Sequence, residues 1–206
     1  IWVYNLRISY PNQRILLGDD DMTNAFRFIK NNPSVVAMCG FMANGLLGFS
    51  TGQCFGACFS PPNFDQGAKG RQEQAGFLWE HEPERTLERA LKHTTQMVFE
   101  ETDSTDPFEP ASRDALNTGV FWNNGSRKSP TFPMQVDDCM YADVDEHFKL
   151  TAASSIISLE DTFGVDHPCQ EKALSEKMFN PVYNEERLLL GHELNTRRMV
   201  VIVSAK

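Results

Sequence analysis

Two adjacent carboxylates, Asp137 and Asp138, lie within the stretch 132–144, between two short runs that can form strands. This pattern predicts a hairpin with both acids at its turn. Adjacent carboxylates repel one another, and at a rigid turn a divalent cation or a buried base can neutralise them. A solvated turn is the alternative, since Asp is favoured in turns. The pair alone favours the solvated turn, so the rest of the chain must decide.

A third acid follows a predicted strand. The run from Arg14 to Leu17 favours a strand, and Asp21 comes soon after it in an acidic stretch. The chain is then compatible with a helix until Pro33 ends the pattern. We expect Asp19 and Asp20 to be solvated neighbours of Asp21.

Mixed periodicities elsewhere predict an α+β domain. Strands are predicted over residues 2–6, 14–17, 35–42, 46–49, 187–193 and 199–203, and Asn44-Gly45 gives the strongest hairpin signal. Amphipathic helices are predicted over residues 83–100, from Leu87, Leu91, Thr94 and Val98, and over 145–163, from Phe148, Ala152, Ile156 and Leu159. Pro61 is placed to open another helix. Residues 102–110 and 117–130 are predicted loops.

Composition and charge restrict the class of protein. The chain has 206 residues, 41% of them apolar, as expected for a globular protein. The five cysteines include no CxxC pair, so we expect reduced, mostly buried thiols in an intracellular protein, nuclear or cytoplasmic. No apolar run is long enough to span a bilayer. The net charge of -9 argues against strong nucleic-acid binding by this segment alone.

The order of these features is specific. An Asp at the end of a strand is followed by an aromatic residue five positions later, a hairpin, a Gly and Ser-Pro loop before a helix, the Asp-Asp hairpin, a helix, a Lys and a Leu-Gly hairpin. This order resembles the palm, with part of the fingers, of a reverse transcriptase from a retrotransposon-like element. The resemblance covers nearly the whole chain.

The first and third motifs of that family contain the metal ligands. Asp21 matches the Asp of the first motif, where the carbonyl of Met22 would add a ligand and Phe26 would be the gate against a ribose 2′-hydroxyl. Asp137 and Asp138 match the third motif. In this motif Gln135 stands where the family has an aromatic residue. Residues 141–144 keep an aromatic but lack the second Asp, which excludes them as the third motif.

The other motifs imply substrate contacts. The second motif, which forms the floor beneath template and nucleotide, is matched by Gln53, Phe55, Gly56, Ser60 and Pro61. Lys177 falls where the fourth motif has its Lys, the proton donor to the leaving pyrophosphate. Leu190 and Gly191 match the hairpin that grips the primer end, and Arg7 matches the Arg of a fingers segment.

The resemblance implies an RNA-directed DNA polymerase that transfers nucleotides by two-metal catalysis. The implied catalytic residues are Asp21, Asp137, Asp138 and Lys177, and the implied metal ligands are Asp21, Met22, Asp137 and Asp138. Two Mg²⁺ ions, replaceable by Mn²⁺, would stabilise the attacking and leaving oxygens. The implied partners are an RNA template, a DNA primer, dNTP, and a thumb, RNase H or other domains of the element, with no membrane.

The implied fold is a right-hand palm, with an antiparallel sheet, helices packed on one face, partial fingers and no thumb. Residues 1–206 would form a single domain fragment. Residues 1–18 and 34–50 would be partial fingers strands, and residues 19–33 and 51–206 the palm, with an insertion at about residues 100–130. The alternative is a catalytically inactive retroelement remnant that serves as a binding or structural domain. Gln135 and the acidic net charge favour this alternative.

Overall fold

The computed structural model shows an α+β protein, as the sequence predicts. It describes residues 2–22, 25–53, 58, 60–93, 97–100, 107–108, 130, 132–135, 138–164, 175, 178 and 180–203, and for residues 26, 27 and 135 it describes the backbone alone. The helices are α1 (Trp2–Ser9), a short 3₁₀ helix (Ala25–Phe28), α2 (Pro33–Val36), α3 (Ser60–His81), α4 (Pro83–His93) and α5 (Asp145–Phe163). The strands are β1 (Ile15–Asp20), β2 (Gly40–Ala43), β3 (Leu46–Phe49), β4 (Val98–Phe99), β5 (Met134–Gln135), β6 (Asp138–Val144), β7 (Val182–Tyr183), β8 (Glu186–Leu189), β9 (His192–Asn195) and β10 (Val200–Val203).

A three-stranded antiparallel sheet in the order β1-β6-β5 lies at the centre. Side chains alternate between the two faces of a strand, so Leu16 and Tyr141 lie on one face and Ile15 and Val144 on the other. The first face packs on Phe148 and Ala152 of α5, while the second packs on α1. The sheet is therefore covered on both faces at the end near Ile15.

Within this sheet, Gly18 is paired with Tyr141. A Cβ at position 18 would lie 2.2 Å from Cε2 of the Tyr141 ring, so only glycine fits there without a shift. The ring has little freedom to move, because it packs on Phe148 and its hydroxyl lies 3.2 Å from that of Tyr183. Burial raises the pKa of Tyr141 well above its ordinary value, so the hydroxyl stays neutral.

The predicted helix after the Asp-Asp hairpin is confirmed over Asp145–Phe163, and Gly164 follows it with a φ of 75°. The four residues of the predicted apolar face are fully buried: Phe148, Ala152, Ile156 and Leu159. However, every residue from Thr151 to Glu160 is buried. The expectation of a single buried face is wrong, because α3, α4 and the sheet all pack against this helix.

Pro61 opens a helix as predicted, and α3 extends from Ser60 to His81. The buried residues after Ser60 recur at spacings of three and four, the repeat of one helical face: Phe64, Ala68, Arg71, Ala75 and Leu78. This face lies against α5. A charged residue, Arg71, therefore occupies a core position.

The predicted helix over residues 83–100 is wrong in its second half. Helix α4 ends at His93, and Val98 and Phe99 form β4, which pairs in parallel with β7. The buried residues of α4 are Thr86 and Ala90. Leu91, predicted for the apolar face, is 57% exposed. Pairing with a strand more than eighty residues away outweighs the local helical period at Val98.

The strand predicted over residues 2–6 is wrong, because these residues form the first part of α1. Alternation of Trp2, Tyr4 and Leu6 suggested a strand. In the structure, Trp2, Val3, Leu6 and Tyr10 pack against the sheet residues Ile15, Leu17, Ala142 and Val144. The steps of one, three and four positions between these four residues fit one side of a helix.

The Asn44-Gly45 hairpin is confirmed. Both residues have positive φ, 50° and 75°, as a type I′ turn requires, and they connect β2 to β3. The first part of the predicted strand 35–42 is wrong, because residues 35 and 36 lie in α2. The Asn32 side chain caps this helix by accepting a hydrogen bond from the Ser34 amide at 3.1 Å.

A second antiparallel sheet has the order β10-β9-β8. The predicted strand 199–203 is confirmed by β10, whereas the prediction of one strand over 187–193 is wrong. The predicted strand 187–193 is a hairpin with its turn at Leu190-Gly191. The predicted loops between residues 102 and 130 lie almost wholly outside the described residues. Among the described cysteines, Cys39, Cys58 and Cys139 are free thiols and only Cys139 is buried, so "mostly buried" does not hold for these three.

Candidate active site

The pairing of β1 with β6 brings two predicted metal ligands to adjacent strand ends. The six paired positions run from Ile15 with Val144 to Asp20 with Cys139. The pairing ends there, and Asp21 is the residue that follows β1, while Asp138 is the residue that precedes Cys139. If the pairing continued by one step, Asp21 and Asp138 would be opposite, with Cβ atoms about 4.5–5.5 Å apart, close enough for two carboxylates to share a cation.

If the alternation of side chains along β1 continues to the next residue, Asp21 and Asp138 would share a face. Both lie two positions from residues of the α1 face, Asp19 in β1 and Met140 in β6. Asp20 and Cys139 lie between them on the opposite face, toward α5. Asp19 and Met140 are only partly buried, whereas Ile15 and Val144 at the other end are fully buried. The carboxylates therefore lie at the more open end of the sheet.

The predicted hairpin of the third motif is confirmed in its paired residues. Gln135 is paired with Asp138, and Met134 with Cys139. The two residues that connect Gln135 to Asp138 are Val136 and Asp137, which lie outside the described residues. Both acids were expected at the turn, but Asp138 is the first residue of β6 and flanks the turn. The role of Asp137 stays a prediction.

Asp20 is not a solvated neighbour of Asp21, contrary to expectation. It is fully buried, and its Oδ2 accepts hydrogen bonds from Arg71 Nη2 and Ser155 Oγ, each at 2.5 Å. Burial has the largest single effect on the pKa of Arg71 and lowers it, but the charge and hydrogen bond of Asp20, with smaller effects of Cys139 and Tyr141, together raise it. Arg71 therefore stays charged and forms a salt bridge with Asp20 inside the protein.

Asp19 also has a partner. Its carboxylate forms an ion pair with Arg187 of β8, and the two side chains are 26% and 23% exposed. Arg187 also donates a hydrogen bond from Nη1 to the carbonyl of Val182 at 2.6 Å. An isolated bridge between Leu17 and Asn184 joins the same segment to β1. The chain around Arg187 thus lies along the edge of β1 that β6 leaves open.

Asp143, the acid in the stretch that was excluded as the third motif, has a structural environment. It is fully buried in β6, and its Oδ2 accepts a hydrogen bond from Thr151 Oγ1 of α5 at 2.6 Å. Its Oδ1 accepts one from the Val144 amide at 2.7 Å. A carboxylate enclosed in this way is not available to substrate, which agrees with the exclusion.

Met22 and Asp21 connect the site to the helical core. The Met22 side chain is buried among Phe64, Ile156 and Met178, and the Asp21 carbonyl accepts a hydrogen bond from the Ser175 amide at 3.1 Å. The chain after β1 is thus fixed to residues far along the sequence. The role of the Met22 carbonyl as a metal ligand stays a prediction.

Arg7 lies inside the protein rather than on a substrate surface. It is fully buried, and its guanidinium donates to the carbonyls of Gln13 at 2.7 Å and Thr196 at 3.0 Å. Burial lowers its pKa, and the nearby charge of Glu185 opposes that effect. These contacts give Arg7 a structural role in joining α1 to the turn after β9. They lend no support to the predicted substrate contact.

The residues of the second motif are only partly described. Gln53 is buried, and its backbone N–H donates a hydrogen bond to the carbonyl of Ile29 at 2.9 Å. Ser60 is buried at the first residue of α3, while Pro61 beside it is exposed. Phe55 and Gly56 lie outside the described residues. Their predicted contacts with template and nucleotide stay predictions.

The Leu-Gly turn is described, whereas two other predicted positions are not. Leu190 and Gly191 form the tight turn between β8 and β9, with φ values of 50° and 78°. Leu190 is 42% exposed at its tip. Phe26 belongs to the 3₁₀ helix, but its side chain is not described, and Lys177 lies outside the described ranges.

Hard carboxylate oxygens are the ligands that Mg²⁺ prefers, and Asp21 and Asp138 offer them at neighbouring positions. Among the described residues no group of three or more His, Cys, Asp or Glu side chains could hold a metal ion. The third predicted carboxylate, Asp137, is not among those residues. Asp21 and Asp138 are ligands of the kind that Mg²⁺ takes, and metal binding at this place stays a prediction.

None of the helices in the described ranges is long and apolar enough to cross a membrane. Comparisons of the chain with protein-family models, with curated proteins and with solved structures found no match.

Proposed function

We propose that this chain is the palm region of an RNA-directed DNA polymerase from a retroelement. The observation that carries the proposal is the register of β1 and β6. It pairs Asp20, the residue before Asp21, with Cys139, the residue after Asp138, although the two segments are separated by more than a hundred residues. The resemblance to a reverse transcriptase requires these two positions to meet. Sequence order alone does not require it.

The packing of the helices also supports the proposal. α5 contacts the sheet on the face of Asp20 and Cys139, and α3 packs against α5. If the alternation of side chains continues to Asp21, the carboxylates of Asp21 and Asp138 would project from the other face, whose far end is covered by α1. The resemblance implies helices on one face of the sheet. α3 and α5 agree with this arrangement, whereas α1 on the other face differs from it.

In the proposed reaction the residues of this chain position charge. Bound Mg²⁺ ions would neutralise the oxygens that enter and leave the α-phosphate of the nucleotide. Asp21 and Asp138, with Asp137 beside them, would hold those ions on strands whose backbones are fixed by pairing. Lys177 would donate a proton to the leaving pyrophosphate. Little further covalent chemistry is required of the protein.

Primer extension on an RNA template tests this function, with the longest natural polypeptide that contains this sequence. We expect dNTP incorporation that requires Mg²⁺ and falls roughly 100-fold or more in Asp138→Asn, because one of the carboxylates that hold the metal is lost. Asp65→Asn is the matched control, since Asp65 is an exposed acid of α3 that forms an ion pair with Lys69. It should leave extension unchanged.

Activity that survives Asp138→Asn would contradict the assignment of the metal site. A protein that binds Mn²⁺ through Asp138 but extends no primer would instead favour the alternative, an inactive remnant that keeps the fold.

A further inference from the structure

We propose that Arg71, Asp20 and Ser155 form a buried positioning cluster that holds Asp21 and Asp138 in place for metal binding. This inference rests on the proposed function, because it concerns the same pair of carboxylates. None of the three residues would touch the metal or the substrate. They would act through the backbone of β1 and β6.

The cluster joins three elements at one point. Arg71 comes from α3, Asp20 from the last residue of β1 and Ser155 from α5. Arg71 Nη2 lies 2.5 Å from Asp20 Oδ2 and 3.2 Å from both the hydroxyl and the carbonyl oxygen of Ser155. Ser155 Oγ lies 2.5 Å from the same Asp20 oxygen. All three residues are at most 1% exposed.

Ser155 reaches both strands that carry the proposed ligands. Besides its bond to Asp20, its hydroxyl lies 3.4 Å from Cys139 Sγ. Asp20 precedes Asp21 in the chain, and Cys139 follows Asp138. One hydroxyl on α5 therefore contacts the neighbours of both carboxylates, from the opposite face of the sheet.

The geometry explains how such a cluster would act. Successive side chains of a strand point to opposite faces, so fixing Asp20 beneath the sheet fixes the direction in which Asp21 leaves the backbone above it. The same holds for Cys139 and Asp138. β1 ends at Asp20, and Asp20 with Cys139 is the last pair of its ladder. The cluster fixes this last pair from the α5 face, while Asp19 is held by Arg187 and the Asp21 carbonyl by the Ser175 amide.

Stability alone is a weak reason for this arrangement. Apolar residues of similar volume often pack as well as a buried ion pair, or better, because desolvation of the charges opposes their attraction. Three polar atoms of this pair are also buried without a hydrogen-bond partner among the described residues: Arg71 Nε, Arg71 Nη1 and Asp20 Oδ1. The Arg71–Asp20 pair lies at the last pair of the ladder, Asp20 with Cys139. A charged pair that adds little stability at this position favours a role in placing Asp21 and Asp138.

Direct metal binding tests the inference independently of catalysis. Mn²⁺ titration followed by electron paramagnetic resonance would compare the wild type with Ser155→Ala, Arg71→Met and Arg71→Lys. Ser155→Ala changes no charge and should fold even where Arg71→Met does not. Residues that orient metal ligands typically alter metal affinity about 10–100-fold when they are changed. We expect a loss in that range for Arg71→Met, a smaller loss for Ser155→Ala and partial recovery with Arg71→Lys.

Arg89→Met is the matched control. Like Arg71, Arg89 forms a salt bridge to a carboxylate. Its partner is Asp161 of α5, with Nη2 2.5 Å from Oδ1, and this pair joins α4 to α5 away from the strands. Its loss should leave Mn²⁺ affinity unchanged. Urea denaturation of each variant gives its folded fraction, so affinities can be compared per folded molecule.

The outcomes separate the two proposals. If the wild type binds Mn²⁺ and Asp138→Asn removes that binding, while folded Ser155→Ala and Arg71→Met bind as tightly as the wild type, the positioning role is overturned and the metal site stands. If the wild type binds no Mn²⁺ that depends on Asp138, both proposals are overturned. Weakened binding in Ser155→Ala and Arg71→Met but not in Arg89→Met supports the positioning role.

Discussion

Arg187 and Asp19 form an ion pair that connects the second sheet to the central one. Asp19 lies in β1, two positions before Asp21, and Arg187 lies in β8, the strand that leads into the Leu190-Gly191 turn. In the proposed polymerase this pair would link the hairpin at the primer end to the strand that carries a metal ligand. Both acids that precede Asp21 therefore form ion pairs, Asp19 with Arg187 and Asp20 with Arg71.

Removing this link should have a modest effect on stability. Arg187→Met is expected to lower the free energy of unfolding by about 1 kcal/mol, since both side chains are about a quarter exposed and partly screened by water. Urea denaturation measures the change. Arg198→Met is the control, because Arg198 is exposed on the turn between β9 and β10. A loss from Arg187→Met no larger than that from Arg198→Met would contradict the prediction.

The buried pair should be far more sensitive. Arg71→Met leaves the Asp20 carboxylate buried without its cation, which is expected to cost about 3–5 kcal/mol of unfolding free energy. Adding Asp20→Asn should recover part of that loss, because the uncompensated charge is removed. Urea denaturation of both single variants and the double variant gives the coupling between the two residues. Additive losses would show that the pair does not act as a unit.

The Arg89–Asp161 salt bridge should make stability dependent on pH. The hydrogen bond from Arg89 lowers the pKa of Asp161 in the folded protein. The contribution is therefore present above the unfolded value of about 3.9 and is lost as pH falls through the lower folded value. The stability difference between wild type and Arg89→Met should be largest near neutral pH and shrink below about pH 4. Urea denaturation at several pH values tests this, and a constant difference would contradict it.

Substitution by alanine should change the stability of the protein in opposite directions at two glycines. Gly18→Ala sets a Cβ 2.2 Å from the Tyr141 ring and is expected to destabilise the protein by about 1–3 kcal/mol. At Gly70, in the interior of α3, a Cβ would meet nothing within 4 Å. Gly70→Ala should stabilise by about 0.5–1 kcal/mol through helix propensity. Thermal or urea denaturation measures both, and equal effects would refute the packing argument.

Two cysteines should differ in reactivity. Burial raises the pKa of the Cys139 thiol to about 12, whereas Cys58 is exposed. Because the thiolate is the nucleophile, alkylation of Cys139 at pH 8 should be roughly 100-fold slower than that of Cys58. Peptide mapping by mass spectrometry identifies each modified site. Urea should remove the difference, and rapid labelling of Cys139 in the folded protein would contradict its burial.

The parts of the fold that the sequence predicted well depend on local signals. Helix α5 has its apolar residues at helical spacing and a glycine at its end, and both of its limits agree with the prediction. Asn44-Gly45 favours positive φ at both positions, so the hairpin follows from two residues. Such features need no information from distant parts of the chain.

The errors arise where distant contacts decide the outcome. Trp2 and Leu6 fit a strand pattern, but packing on Ile15 and Val144 stabilises a helix there. Val98 fits the helical period of α4, but pairing with Val182 makes it a strand. In each case a neighbour far along the chain outweighs the local preference.

Within the site, the Asp138 hairpin was predictable and the cluster beneath it was not. Arg71 lies in a helix rich in Gly, Gln and Glu, where a charged residue is usually solvated. Its repeat with Phe64, Ala68 and Ala75 was the one available signal, and the alanines make that repeat weak. Asp20 was misjudged because its partner lies fifty-one positions away. Only the fold brings the two charges together.

The close approach of Gly18 to Tyr141 restricts how this chain can diverge through evolution. Position 18 can gain a side chain only if position 141 loses one of similar size, so the two should change together among natural variants. Tyr183 would then lose the hydroxyl partner of Tyr141 and is expected to change as a third member. A remote homologue could be recognised by this correlated triplet even where its acidic residues have been replaced.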